Sequence, residues 1–269
     1  MNILILGDVM GPSGRKIIMD KLPKLIESNK IDFVIINGEN SADSGAGITK
    51  KIFKDLIDAG ADVVTTGNHV WDEQETLDFI KRENRLLRPE NLIKGSPGNG
   101  FGIFNSRNNK KVAVVNLMGN IFMKKCENVF EEANNIIKKI KLKIDADFII
   151  VDMHGEITSE KKAIGFLFDG KATMVVGTHT HIPTSDHMIL KGGTAYQTDI
   201  GMCGDYDSVI GMNKENSIKK FLKHQDTKKH FPAVGKGTLS GLMVTANEKT
   251  GLATSLKPIV IGSHLENRI

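Results

Sequence analysis

Cysteine is nearly missing from the 269 residues: Cys126 and Cys203 are the only two. Two thiols cannot form a disulfide framework, and such sparse use fits a reducing, cytoplasmic setting. No window holds 18 uninterrupted apolar residues, which argues against a transmembrane helix and a membrane role. No basic stretch precedes the first apolar run, Ile3 to Leu6, so no signal peptide is expected. No internal repeat, low-complexity segment or linker divides the chain, and one domain over residues 1–269 is expected. Net charge is also small, 36 basic against 32 acidic side chains, or +4. That excess helps attract a phosphate-bearing substrate without implying duplex nucleic acid. Its local concentrations, Lys138 to Lys143 and Lys219 to His230, read as solvated helix faces. With 40% hydrophobic and 25% charged residues, the composition is that of an ordinary globular protein.

What is present is a repeating unit of apolar strand, polar tip and helix. Asn2 to Leu6 reads as a strand ending at Gly7-Asp8, with Ser13 expected to cap a helix towards Ser28 that Pro23 kinks or divides. Asp32 to Ile36 leads into Asn37-Gly38-Glu39-Asn40, a glycine-rich loop and a helix over Lys50 to Ala59. Asp62 to Thr65 ends at Gly67-Asn68-His69, after which Asp72 is expected to cap a helix over Glu73 to Lys81. From Glu83 the alternation fades, though Phe101 to Phe104 is expected to pair with Val112 to Leu117. A helix over Glu127 to Ile140, a strand over Ala146 to Val151 and a helix over Ser159 to Phe168 follow. The strand Ala172 to Val176 then runs into Gly177-Thr178-His179-Thr180-His181-Ile182-Pro183. Hairpins are expected from His187 to Thr198 and from Thr238 to Ile261, with a loop over Ile200 to Asn213 and a helix over Glu215 to Lys223. The pattern predicts an α/β (α+β) fold, a sandwich of two mixed β-sheets flanked by helices.

The strand tips share a chemistry. They carry Asp8, Glu39 and Asn40, Asn68 and His69, His154, and His179 with His181. Four of the eight histidines occupy such tips, and ligands in open α/β sheets gather at that edge. Imidazole binds Zn-, Fe- and Mn-like ions, and mixed oxygen and nitrogen donors suit a two-metal centre. Such a centre needs a bridging carboxylate to offset both charges, and a separate acid to protonate the leaving oxygen.

These blocks resemble those of the calcineurin-like metallophosphoesterases: Gly7-Asp8, Gly38-Glu39-Asn40, Gly67-Asn68-His69, the lone His154, and Gly177-Thr178-His179-Thr180-His181. Met10 stands where that family usually has His, and Glu39 where it usually has Asp. Both departures, with Gly7-Asp8-Val9-Met10-Gly11 and Asn37-Gly38-Glu39-Asn40-Ser41, resemble the YmdB-like bacterial phosphodiesterases, as does Thr198 to Gly204. The resemblance implies a four-layer sandwich. It implies two metal ions, iron or manganese with zinc as an alternative. Asp8, Asn40 and His181 would hold one ion, Asn68, His154 and His179 the other, and Glu39 would bridge them. His69 would be a general acid that binds no metal. The implied reaction is hydrolysis of small phosphodiesters, cyclic nucleotides of the 2′,3′ and also the 3′,5′ kind, by a hydroxide held between the metals.

Other readings are a phosphomonoesterase or nuclease with the same centre, a regulatory binding protein that keeps the site, and a mononuclear zinc hydrolase. The last would not need Glu39, Asn40 and Asn68 beside three histidines. Exposed edges of the C-terminal hairpins allow a homo-oligomer. Asp199 and Asp205 are read either as supports behind the histidines or as turn residues. Cys203 is read as a small buried residue, and Trp71 as packing behind the Asn68-His69 turn or stacking on a base.

Overall fold

The structure is a computed structural model and describes residues 1–268. Its elements in chain order are β1 (Asn2–Leu6), β2 (Asp8–Val9), α1 (Gly11–Asn29), β3 (Phe33–Asn37), α2 (Lys50–Asp58), β4 (Val63–Thr65) and α3 (Thr76–Phe79). Next come β5 (Phe101–Asn105), β6 (Lys111–Met118), α4 (Val129–Lys139), β7 (Phe148–His154), α5 (Thr158–Leu167) and β8 (Met174–Thr178). The chain continues through β9 (Met188–Ile189), β10 (Ala195–Gln197), β11 (Met202–Cys203), α6 (Lys214–Phe221), β12 (Leu239–Ala246) and β13 (Ala253–Ile261). Among the described residues no helix is long and apolar enough to cross a membrane.

Side chains on a strand alternate between its two faces, and here both faces are apolar because both are covered. Ile3 and Ile5 of β1, with Phe33 and Ile35 of β3, enter a core shared with Val112 and Val114 of β6, Phe148 and Ile150 of β7, and Val176 of β8. Leu4, Leu6, Val34 and Ile36 face the other way, onto Ile18 and Leu22 of α1 and Phe53 and Leu56 of α2. On the far side, Val115, Ile149, Val151 and Val175 meet Ala133 and Ile136 of α4 and Ile164 of α5. Three apolar cores between four layers, helix–sheet–sheet–helix, give the expected sandwich.

One sheet has the order β13-β12-β1-β3-β4 and the other β5-β6-β7-β8-β10-β9. β1, β3 and β4 run parallel, as do β6, β7, β8 and β10, while the outer hairpin strands are antiparallel. Parallel strands bring their C-terminal tips to one edge, and there the polar residues between strands and helices collect.

Four local expectations are corrected. α1 begins at Gly11, where Met10 supplies no side-chain cap, and Pro23 does not divide it. Ser13 instead donates to the carbonyls of Ala233 and Gly235. The helix expected over Glu73 to Lys81 is only the four residues of α3, and Asp72 does not cap it. The segment Ile200 to Asn213 holds a strand, β11, paired in parallel with β2.

Candidate metal centre

Each predicted residue stands where a strand gives way to a turn. Asp8 opens β2, Glu39 and Asn40 follow β3, Asn68 and His69 follow β4, His154 closes β7, and His179 and His181 follow β8. Asp8, Glu39, Asn40, His154 and His181 are all buried. The turn after β8 is strained: His179 has φ 100° and His181 φ 65°, backbone that residues with a Cβ rarely adopt. Buried carboxylates hold it. Asp8 Oδ2 accepts the His179 amide at 3.0 Å, and Asp199 Oδ2 accepts the Thr180 amide at 3.1 Å. Lys161, fully buried on α5, donates to the same Asp199 oxygen at 2.7 Å.

The hydrogen-bond network fixes which ring nitrogens carry lone pairs. Thr178 donates its hydroxyl to Asp152 Oδ1 at 2.7 Å and receives the His154 Nδ1–H at 2.9 Å. His154 Nε2 therefore points inward, 2.9 Å from Glu39 Oε1, 3.0 Å from Asn68 Oδ1 and 3.1 Å from His179 Nδ1. His179 Nε2 lies 3.2 Å from Glu156 Oε2 on the far side of the ring, and Nδ1 is the nitrogen turned to His154. Glu39, His154 and His179 present ligand atoms within 4.8 Å of one another. His181 repeats the arrangement: Nδ1–H donates to the Ile210 carbonyl at 2.7 Å, and Nε2 faces Asn40 Oδ1 at 3.2 Å. Asn40 Nδ2 is committed to the Gly45 carbonyl, so its oxygen is the atom turned to His181.

Acceptors facing acceptors at such distances need a cation between them. Imidazole and carboxylate ligands lie about 2.0–2.2 Å from a Zn-like ion, so neighbouring ligands of one ion stand about 3 Å apart. The surroundings agree. Asp8, Glu39 and Asp152 are buried carboxylates, and among the described residues none forms an ion pair with a lysine or arginine. Asp8 Oδ1 is buried without a hydrogen-bond partner. Glycine at position 67 keeps the space open, since a Cβ there would lie 2.3 Å from both Glu39 Oε2 and His154 Nε2.

Protons alone balance this cluster only in part. Burial pulls the His154 ring down, but Glu39 at hydrogen-bond distance outweighs it and lifts the ring to about 9. Burial pulls Glu39 up, and the facing His154 outweighs that, holding it at about 2. Burial and the neighbouring His154 charge push His179 down to about 3. Burial lifts Asp8 to about 6 against the pull of His181 and His154. Positive charge is drawn to the point that His154 and Glu39 share. One proton can join two of the four acceptors there, whereas a metal ion can join all four. The residues present fit a metal.

His69 stands apart from this convergence. Its amide donates to Glu39 Oε2 at 3.0 Å, but its ring turns to Asp72, Nδ1 to Oδ2 at 2.7 Å. Lys124 holds the other oxygen of Asp72 at 3.1 Å. The free ring nitrogen of His69 is Nε2.

Several contributors were not visible in the sequence. Asn37, Thr65, Asp152 and Thr178 form a buried set behind the metal-facing residues, with Asn37 Nδ2 3.0 Å and Thr65 Oγ1 2.5 Å from Asp152 Oδ2. β3, β7 and β8 run past the ends expected for them and so take in Asn37, Asp152 and Thr178, while Thr65 closes β4 as expected, and only their place near the tips hinted at them. Asp199 is a support behind the histidines, whereas Asp205 accepts the amides of Asp207 and Gly235 and is a turn residue. Cys203 is buried, and burial pushes its thiol up to about 12, so it is no nucleophile.

Known proteins resemble this chain over nearly its whole length. The profile of the YmdB-like protein family matches residues 4–259. The 2′,3′-cyclic-nucleotide 2′-phosphodiesterase of Bacillus subtilis is 43% identical over 97% of this chain and 97% of its own. A solved hypothetical protein of Thermus thermophilus superposes with TM-score 0.89 at 35% identity, over 98% of this chain and 100% of that one. A Mycoplasma pneumoniae structure described as a novel phosphatase superposes with TM-score 0.89 at 34% identity, over 97% of this chain and 93% of that one. The agreement runs through both sheets and past every strand tip that carries a metal-type ligand, and the chain belongs to the YmdB-like family of phosphoester hydrolases.

Proposed function

We propose that the chain is a dinuclear metal-dependent phosphodiesterase of small cyclic nucleotides, with 2′,3′-cyclic nucleotides as its first substrates and 3′,5′-cyclic ones as a further class. Asp8, Asn40 and His181 hold one ion, Asn68, His154 and His179 the other, and Glu39 serves both; iron or manganese fits these donors. His69 is the general acid. The observation that carries the reading is the convergence on His154 Nε2 of Glu39 Oε1, Asn68 Oδ1 and His179 Nδ1, all within 3.1 Å.

When bound, the ions supply Lewis-acid charge to the phosphate oxygens and bring the pKa of water down to about 7. The chain's own residues do the rest. His69 holds a proton at Nε2, the nitrogen left free by Asp72, and passes it to the departing ester oxygen. Asp72 fixes the ring's tautomer and steadies the imidazolium. Asp8 and Asp199 keep the strained His179–His181 turn in place, and Thr178 with Asp152 aims His154 inward.

The test is hydrolysis by protein reconstituted with Mn²⁺ or Fe²⁺, on a panel of 2′,3′- and 3′,5′-cyclic nucleotides beside nucleoside monophosphates. The reading predicts ring opening of 2′,3′-cyclic AMP with release of adenosine 3′-monophosphate and slower attack on monoesters. Monoester cleavage with no ring opening would contradict it.

A further inference from the structure

The chain neighbours of His69 on both sides, Asn68 and Val70, line a surface cavity of about 140 Å³ together with Trp71, Leu92, Ile93 and Lys124 among others. The metal-facing cluster accounts for Asn68 alone of these. Sites for whole drug-sized ligands have volumes of about 300–1,000 Å³, so this one has room for a single planar ring system. Trp71 is half-buried, one part packed on the core and another bordering the cavity. Lys124 joins the cavity to the acid: it lines the wall and its Nζ holds Asp72, which holds His69.

The chemistry of ring opening says what belongs there. In a 2′,3′-cyclic phosphate cleaved at the 2′ ester, a water oxygen forms the new bond to phosphorus and the P–O2′ bond breaks. O2′ takes the proton from His69 and remains on the ribose, while the proton released by water returns to the acid through solvent. The leaving oxygen is therefore the ribose O2′ of a nucleoside still joined to phosphorus through O3′, and the acid must face that ribose. The base then lies on the His69 side of the centre, where the chain neighbours of His69 line this cavity.

We propose that the cavity bounded by Trp71, Leu92 and Ile93 is the nucleobase subsite, with the base stacked on the Trp71 indole and Lys124 and Lys125 on its rim. This rests on the phosphodiesterase reading and adds to it the group that the enzyme recognises. A flat aromatic wall with apolar neighbours accepts any base by its π-face, at about 1–3 kcal/mol per stacked base. The subsite accordingly selects nucleotides over simple diesters and discriminates weakly among the four bases.

The chain contains one tryptophan, so its fluorescence reports this wall alone. Adenosine 3′-monophosphate added to the metal-loaded protein is expected to quench that fluorescence saturably, and inorganic phosphate at the same occupancy is not. Steady-state kinetics on 2′,3′-cyclic AMP then compare Trp71→Ala, Trp71→Phe and Ile93→Glu, with metal content measured on each. Trp71→Ala is expected to raise KM by about 5- to 150-fold, the fold-change equivalent of one stacked base, with kcat changed far less, and Trp71→Phe to restore most of the loss. Ile93 is 60% exposed, so Ile93→Glu keeps the fold and still raises KM, even if Trp71→Ala does not fold. No quenching by the nucleotide, together with an unchanged KM in Ile93→Glu, would overturn the subsite. Failure of the wild type to open any cyclic nucleotide while it cleaves bis-p-nitrophenyl phosphate would overturn the substrate reading instead.

Discussion

His154 Nε2 and His179 Nδ1 lie 3.1 Å apart, with His154 Nδ1 hydrogen-bonded to Thr178 and His179 Nε2 3.2 Å from Glu156 Oε2. Two ring nitrogens are thus turned to each other inside the protein. Glu39 and Asn68 add two more acceptors to the same point. Burial of such a set without a cation is costly, and this separates a metal centre from a chance meeting of polar residues.

In the proposed centre Glu39 would be the one carboxylate that serves both ions. Removing its charge with Glu39→Gln changes neither its size nor its position. Occupancy of both ions is expected to fall, as read by elemental analysis after dialysis against a fixed Mn²⁺ concentration. Two ions retained with full activity would show that Glu39 does not serve both.

His69 contacts this set only through its backbone amide. His69→Ala is expected to slow turnover by about 10²–10⁴-fold, the usual cost of losing a general acid, with metal content unchanged. Loss of metal in this variant would make His69 a ligand and remove it as the acid.

Gly67→Ala tests the geometry without touching a ligand. The added methyl would sit 2.3 Å from Glu39 Oε2 and His154 Nε2, so both must move. Metal affinity is expected to drop by at least the about 10–100-fold typical of disturbing the groups around a metal site. A titration with Mn²⁺ that matches the wild type would contradict the closeness of this approach.

Much of this was legible in the sequence, for a physical reason. Strands covered on both faces are written as apolar runs, so each polar tip stands out. Asp8, Glu39, Asn40, Asn68, His69, His154, His179 and His181 could be picked by that contrast alone. β2 and β11 were not legible, because two-residue strands have no period. What sets their pairing is a close backbone approach: a Cβ on Gly7 would lie 1.9 Å from the Gly201 carbonyl oxygen. The helix expected after Asp72 failed for a related reason. Asp72 reads as a cap, but its carboxylate is occupied by His69 and Lys124, and the chain turns through Glu73 to Glu75 before α3 starts. The roles of Asp152 and Thr178 stayed hidden, since no local pattern says that a buried polar residue faces a histidine on a neighbouring strand.

Lys161 and Asp199 show a support of the same hidden kind. Both are fully buried, 2.7 Å apart, and Asp199 also receives the amides of Thr180 and Gly201. Asp199→Asn leaves Lys161 buried without its counter-charge. Such a loss costs about 3–5 kcal/mol, and the urea midpoint of the metal-free protein is expected to fall accordingly. A midpoint within error of the wild type would show that the pair does not brace the turn.

The most direct test of the central claim is metal content per chain on the purified protein, with hydrolysis of bis-p-nitrophenyl phosphate measured on the same sample. The account predicts two ions per chain, and activity that disappears with chelation and returns with Mn²⁺ or Fe²⁺. A single ion with full activity would contradict the dinuclear centre. No ion and no activity after reconstitution would leave a binding protein built on a phosphodiesterase fold.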